Sequence, residues 1–280
     1  MTAKLGIIAG GGDLPRAVAM SARADGREVF VIGLIGSLGE GDGWIGDFPH
    51  ELTSPGAPGH AFKSFRREGI TDVSLVGKVD RPKFSALKLD ARGMLLLPRA
   101  LKAARQGDDA LLRFLVTMFE EEGFRAVSVA EAAPGLVCDE GPLGRLAPND
   151  DHRADMDRGF AIVKALGALD VGQAAVVCEG LALAVEAAEG TDRMIERIGT
   201  LREALRGTPQ QRRGVLVKAL KPTQDAKTDM PVIGVATVER AAAAGLAGIG
   251  LEAGGALIVD KALVAAKADA LGLFVTGVRL

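Results

Sequence analysis

The sequence KLGIIAGGGDLP at residues 4–15 decides the fold of the amino-terminal part of the chain. An apolar run at residues 4–9 predicts a β-strand, and a helical pattern follows from about residue 14 to residue 24. Three glycines join the two elements, and such a turn lets backbone N–H groups and the helix N-terminus face a phosphate. Pro15 occupies the position of the third glycine of the dinucleotide fingerprint, so an NAD site is not indicated. A tight turn without a ligand remains the alternative.

The rest of the chain continues this alternation and then changes its pattern. Further strands are predicted at residues 28–32, 72–76 and 126–129, with helices between them, which is typical of a parallel sheet covered on both faces. We therefore predict an α/β protein with a Rossmann-like N-terminal domain at residues 1–133. A Gly- and Pro-rich linker follows at 134–149. In the C-terminal domain, residues 150–280, several strands follow one another directly, which predicts a mixed sheet.

Composition narrows the class of protein. The 280 residues carry a formal net charge of −2, and no Lys/Arg block marks a nucleic-acid surface. Aromatic residues make up 4% of the chain and Tyr is absent, which predicts a core of Ala, Val, Leu and Ile. Cys138 and Cys178 are not spaced for a metal, which favours buried thiols in a cytoplasmic protein. Residues 241–259 are apolar but interrupted by five glycines, and we predict a buried helix–turn–strand there.

Several familiar catalytic patterns are missing. The three histidines are isolated, and no serine-hydrolase elbow or zinc-hydrolase motif is present. Lys78 follows a predicted strand but does not belong to a P-loop, because Val79 replaces the magnesium-binding Ser or Thr. Lys78 remains a candidate ligand contact at a strand end. Asp109, in the sequence Gly-Asp-Asp, is either a ligand contact or part of a helix cap.

The richest polar stretch is KALKPTQDAKTDMP at residues 218–231. Pro222 and Pro231 bracket it and argue against a helix, so we predict a loop that begins inside a strand at Lys218. Its lysines suit phosphate charge, and its aspartates suit Mg²⁺, as phosphoryl-transfer chemistry requires. A second acidic stretch, residues 186–192, opens a helix with Thr191 as the predicted N-cap. Its three carboxylates either serve a site or stabilise the helix dipole.

Together these motifs resemble a known family. AGGGDLP (9–15), GDD (107–109), DVGQAAVV (170–177), EAAEGTD (186–192) and KALKPTQDAKTDMPVIG (218–234) are similar to the LpxI-type UDP-2,3-diacylglucosamine pyrophosphatases. The resemblance implies two domains with a lipid substrate between them, and a Mg²⁺-dependent hydrolase of lipid A synthesis. It implies cleavage of UDP-2,3-diacylglucosamine into 2,3-diacylglucosamine 1-phosphate (lipid X) and UMP. The family's essential aspartate corresponds to Asp225, and Lys227 stands where an Arg is expected.

These expectations define a set of candidate site residues. The catalytic candidates are Asp225, Lys218, Lys221 and Gln224. The substrate-binding candidates are Gly11, Gly12, Asp13, Lys78, Asp109, Gln173, Thr191 and Lys227. The Mg²⁺ candidates are Asp225, Asp229, Glu189 and Asp192.

The expected partner is a glycolipid UDP-sugar, with no nucleic acid. Peripheral contact with the inner membrane and a homodimer are both compatible with these features. Two other functions stay open, namely a nucleotide-dependent oxidoreductase and a non-catalytic protein that binds a lipid or a nucleotide sugar.

Overall fold

The computed structural model describes residues 3–79, 87–221 and 230–280. The chain divides into two compact units, Met1–Gly135 and Leu136–Leu280. The first contains a parallel sheet and the second a mixed sheet, so the predicted α/β fold class is confirmed.

The first unit is built on a five-stranded parallel sheet. Its strands are β1 (Leu5–Ala9), β2 (Val29–Leu34), β3 (His50–Thr53), β4 (Asp72–Val76) and β5 (Arg125–Ala126), in the order β3-β2-β1-β4-β5. Its helices are α1 (Asp13–Ala24), α2 (Pro58–Arg67), α3 (Ala91–Ala104), α4 (Asp108–Glu121) and α5 (Val129–Ala132). The strand order reverses between β1 and β4, which is where ligands bind in open α/β sheets.

The first unit differs from the sequence prediction in two strands. Strand β3 was not predicted, because only one of its four residues, Thr53, is buried and no apolar run marks it. The strand predicted at residues 126–129 ends at Ala126, since Ser128 caps α5 in a reciprocal pair with Glu131. Helix α3 begins at Ala91, where the Asp90 carboxylate caps it.

The core of the first unit also departs from the prediction of an aliphatic core. Phenylalanines cluster there, and the pairs Phe62–Phe119 and Phe65–Phe124 meet edge to face with ring centroids 5.3 and 5.9 Å apart. A chain with few aromatic residues can still form such a cluster, because most of them are gathered on one side of a single sheet.

The second unit is built on a six-stranded mixed sheet. Its strands are β6 (Gly141–Pro142), β7 (Ala174–Cys178), β8 (Leu181–Val185), β9 (Val215–Lys218), β11 (Gly248–Glu252) and β13 (Phe274–Val278), in the order β6-β13-β11-β9-β7-β8. Strands β10 (Val232–Ile233) and β12 (Leu257–Ile258) form a separate parallel pair. The helices are α6 (Asp150–Ala168), α7 (Gly190–Ile198), α8 (Val235–Ala243) and α9 (Lys261–Leu271).

Two parts of this unit refine the predicted organisation. The segment 134–149, predicted as a linker, contains β6, which pairs with β13 in the antiparallel sense. Residues 241–259 comprise the end of α8, strand β11 and strand β12, as predicted. Within the described part of the chain, no helix is both long and apolar enough to cross a membrane.

Candidate functional site

A buried lysine lies at the carboxyl end of β9. Lys218 is the last residue of the strand and is only 4% exposed. Its Nζ donates hydrogen bonds to Thr191 Oγ1 (2.9 Å) and to the backbone carbonyl of Val232 (3.1 Å). Lysines are rarely buried this deeply unless their ammonium groups have partners. The prediction that the polar stretch begins inside a strand with Lys218 is confirmed.

A buried carboxylate supports the same cluster. Glu186 follows β8, and its two oxygens accept hydrogen bonds from Thr191 Oγ1 (2.7 Å) and from the backbone N–H of Gln173 (3.1 Å). The Thr191 hydroxyl therefore links Glu186 to Lys218. This contradicts the prediction that Thr191 is the N-cap of α7. The helix begins at Gly190 with Glu189 as its N-cap residue, so Thr191 lies within the first turn and its side chain faces the cluster.

The sheet topology explains why these residues meet. Strand β7 runs antiparallel to both β8 and β9, so its amino end lies at the same edge as their carboxyl ends. Ala174 at the start of β7 pairs with Lys218 at the end of β9. The residues just outside those ends, Gln173 and Glu186, are consequently neighbours of Lys218. The structure thus brings together Lys218, Thr191 and Gln173 from the predicted set.

The chain is held again immediately after β9. The backbone N–H of Ala219 donates to the carbonyl of Gln173 at 3.2 Å. Lys221 Nζ pairs with Asp170 Oδ1 at 2.7 Å, and the Lys221 side chain is 12% exposed. Two lysines three residues apart are therefore fixed at one sheet edge, where the chain enters the polar stretch.

Two of the four predicted metal ligands, Glu189 and Asp192, each lie beside an arginine. Glu189 pairs with Arg197 at 2.8 Å, and Asp192 lies 3.4 Å from Arg240. Gln224, Asp225, Lys227 and Asp229 lie outside the described residues. Among residues 3–79, 87–221 and 230–280, no group of three or more His, Cys, Asp or Glu side chains could hold a metal.

In the first unit, the glycine turn and Lys78 meet at the switch point between β1 and β4. Gly11 and Lys78 exchange two backbone hydrogen bonds of 2.9 Å. A Cβ at Gly11 would lie 2.4 Å from the carbonyl oxygen of Ser37, and Gly12 has a φ of +94°. Close packing at Gly11 and the positive φ of Gly12 thus explain these two glycines without a ligand. The turn nevertheless leads directly into the N-terminus of α1, whose first residue is Asp13.

The structure also shows where Asp109 and the two cysteines lie. Asp109 is the second residue of α4, and the N-cap of that helix is Gly107 rather than an aspartate. Both cysteines are buried and unpaired, as expected. Burial raises the pKa of the Cys138 thiol to about 11 and also raises the pKa of Cys178. Neither thiol is suited to act as a nucleophile near neutral pH.

The sequence-based site omitted three residues that the structure places at the same edge. Glu186 belonged to the acidic stretch but was not chosen. Its position as the first residue after an apolar strand could have indicated that it faces the site. Lys164 and Glu252 bind the backbone next to Lys221, and they come from distant parts of the sequence. No local pattern marks Lys164 or Glu252.

Comparison with known proteins agrees with these features. Residues 4–136 match the model of the LpxI N-terminal domain, and residues 139–276 match that of the LpxI C-terminal domain. The chain belongs to the LpxI family. It is 49% identical over 275 residues to the UDP-2,3-diacylglucosamine pyrophosphatase LpxI of Caulobacter vibrioides, covering 98% of this chain and 97% of that protein. Lys218, Thr191, Glu186 and Gln173, together called the Lys218 cluster, lie in the part that matches the LpxI C-terminal domain.

Proposed function

We propose that this protein hydrolyses the diphosphate of UDP-2,3-diacylglucosamine, giving 2,3-diacylglucosamine 1-phosphate (lipid X) and UMP. Near-complete coverage of a relative named for this pyrophosphatase activity supports the substrate. The structural observation that carries the proposal is the Lys218 cluster at the carboxyl end of β9. A buried ammonium group joined through Thr191 to a buried carboxylate is a preorganised electrostatic element, and phosphoryl chemistry depends on such elements.

The two fixed lysines have a direct role in this proposal. Lys218 and Lys221 offset the negative charge of the diphosphate, while Gln173 and Thr191 orient the groups around Lys218. Hydrolysis of this anhydride depends mainly on positioning and charge, so no Ser, Cys or His nucleophile is required. Water attacks the phosphorus on the sugar side, and UMP leaves.

In this proposal the polar stretch at residues 218–231 supplies the remaining chemistry. Asp225 would hold the metal or position the attacking water, and Gln224 and Lys227 would contribute to the same chemistry. Mg²⁺, when bound, neutralises developing charge on the phosphate oxygens. Asp229 is the preferred further ligand. Glu189 and Asp192 are weaker candidates, because each carboxylate already lies beside an arginine.

The first unit contributes binding groups in the same proposal. The backbone N–H groups at the start of α1 suit a phosphate. The proposed contacts to the nucleotide or its phosphates in this unit are Gly11, Gly12, Asp13, Lys78 and Asp109. Because the substrate carries two acyl chains, we also propose that the protein works in the cytoplasm in peripheral contact with the inner membrane.

One assay tests the proposed reaction. The purified protein is incubated with UDP-2,3-diacylglucosamine and Mg²⁺, with and without EDTA, beside the Asp225→Asn variant. We expect UMP release by the wild type, loss with EDTA, and loss in the variant. Failure of the wild type to release UMP, or equal release by Asp225→Asn, would show the assignment to be wrong.

The same material separates the alternatives. Reaction in ¹⁸O-labelled water should place the label in lipid X, whereas label in UMP would refute attack on the sugar-side phosphorus. Tight binding of NAD or flavin would favour the oxidoreductase. Substrate binding without turnover, insensitive to chelator, would favour a carrier protein.

A further inference from the structure

The backbone of Leu220, just beyond β9, is held by two side chains from elsewhere in the second unit. Its N–H donates to Glu252 Oε2 at 2.8 Å, and its carbonyl accepts from Lys164 Nζ at 3.1 Å. Lys164 Nζ also lies 2.8 Å from each carboxylate oxygen of Glu252. Both polar backbone groups of one residue are thus bound by a lysine and a glutamate that bind each other.

The position of this contact follows from the sheet. The pairing of β9 with β11 ends at Lys218 and Leu251, so Leu220 lies past the last backbone pair of that ladder. Glu252 is the final residue of β11, and its side chain takes over as the partner of Leu220. Lys164 reaches the same point from α6. The contact therefore replaces strand pairing where the chain leaves the sheet.

Local packing holds the glutamate in this orientation. A Cβ at Gly255 would lie 2.7 Å from Glu252 Cδ, so the glycine leaves the space that the carboxylate side chain occupies. The Glu252 side chain is 18% exposed and that of Lys164 is 33% exposed. The pair Lys267–Glu239 in the same unit has a similar distance of 2.8 Å but a more exposed glutamate, at 51%. It offers a matched control.

Leu220 lies between the two lysines assigned to the diphosphate. Lys218 precedes it by two residues and Lys221 follows it directly. A shift of the Leu220 backbone would move Lys221, which follows it directly in the chain. Misplacement of catalytic groups by about 1 Å can cost on the order of a hundredfold in rate.

We propose that Lys164 and Glu252 are positioning residues for the hydrolytic site, acting through Leu220 on Lys218 and Lys221. This inference rests on the proposed function. Neither residue is assigned a contact with the substrate. Their effect should fall on the catalytic step rather than on substrate binding.

The test compares Lys164→Met, Glu252→Met and Glu252→Gln with the wild type and with Lys267→Met. UMP release from UDP-2,3-diacylglucosamine is measured at varied substrate concentration. We expect kcat to fall about 10- to 100-fold in the two methionine variants, with KM changed less than about threefold. Glutamine keeps an acceptor for the Leu220 N–H, so Glu252→Gln should retain more activity than Glu252→Met. Lys267→Met should behave as the wild type.

Amide hydrogen exchange provides a readout that does not depend on turnover. Peptides covering residues 215–221 should exchange faster in Glu252→Met than in the wild type, while peptides covering β13 stay unchanged. Wild-type kcat in folded Lys164→Met and Glu252→Met, with only a lower melting temperature, would overturn the positioning role. An inactive wild type would instead overturn the proposed function, and the positioning role with it.

Discussion

Replacing Thr191 by valine tests the link between Glu186 and Lys218. Valine keeps the shape of the side chain but removes the hydroxyl, which donates to Glu186 at 2.7 Å and accepts from Lys218 at 2.9 Å. Hydrogen bonds to charged groups contribute about 1.5–3 kcal/mol each. Because Thr191 is only half-buried and water can partly replace it, we expect a total loss of about 3 kcal/mol from the two bonds.

This loss should be visible in stability and in rate. For a unit of about 150 residues, 3 kcal/mol corresponds to a decrease of roughly 6–12 °C in melting temperature. We also expect kcat for UMP release to fall at least about tenfold, because Lys218 loses a group that orients it. Differential scanning calorimetry and the UMP assay measure the two effects.

Thr191→Ser is the matched control, since serine retains the hydroxyl. It should remain within about 1 kcal/mol of the wild type and keep most of the activity. If Thr191→Val melts and turns over like the wild type, the hydroxyl link between Glu186 and Lys218 contributes nothing, and the reasoning is refuted.

Three further predictions concern other parts of the chain. Burial of Asp72 opposes its ionisation, but hydrogen bonds and charges from Arg125 and Arg27 outweigh this and hold its pKa below the usual 3.8. The resulting stability is present at neutral pH and lost as the pH falls below 3.8. Asp72→Asn should therefore lower the free energy of unfolding by about 3 kcal/mol at pH 7 and by clearly less at pH 3. Denaturant titrations at the two pH values measure this, and an equal decrease at both would contradict it. Gly11→Ala should destabilise the first unit by about 1–3 kcal/mol, because its Cβ meets a backbone oxygen, whereas Gly43→Ala, which meets open space, should be nearly neutral. Native Cys138, with a thiol pKa of about 11, should resist iodoacetamide at pH 8 until the protein is unfolded; rapid labelling of the folded protein would disprove its burial.

The sequence predicted the elements whose burial produces a continuous apolar run. Strand β1, for example, is buried along its whole length, and its bounds were predicted within one residue. Strand β3 could not be predicted in the same way, because most of its residues are not buried and its pairing with β2 is a tertiary contact. The aromatic cluster was missed for a related reason, since composition does not show where in space phenylalanines gather.

The candidate site was predicted in part. The proline brackets and the apolar residues before Lys218 indicated a lysine at a strand end, and the structure places it there. The choice among the acidic residues 186–192 failed to include Glu186. Glu186 faces the cluster because it directly follows β8, where it accepts hydrogen bonds from Gln173 and Thr191. Glu189 and Asp192 lie at the start of α7 beside arginines, and only the fold shows this difference. Lys164 and Glu252 needed the three-dimensional structure, because only the fold brings α6 and β11 to Leu220.

The central claim is that the Lys218 cluster, at the carboxyl end of β9, belongs to a site of diphosphate hydrolysis. The most direct measurement is the rate of UMP release from UDP-2,3-diacylglucosamine by Lys218→Met, beside Lys267→Met and the wild type. We predict a loss of at least about 100-fold in kcat for Lys218→Met, as is typical when a preorganised charge is removed, and wild-type kcat for Lys267→Met. Release of UMP by folded Lys218→Met at the wild-type rate would contradict the account.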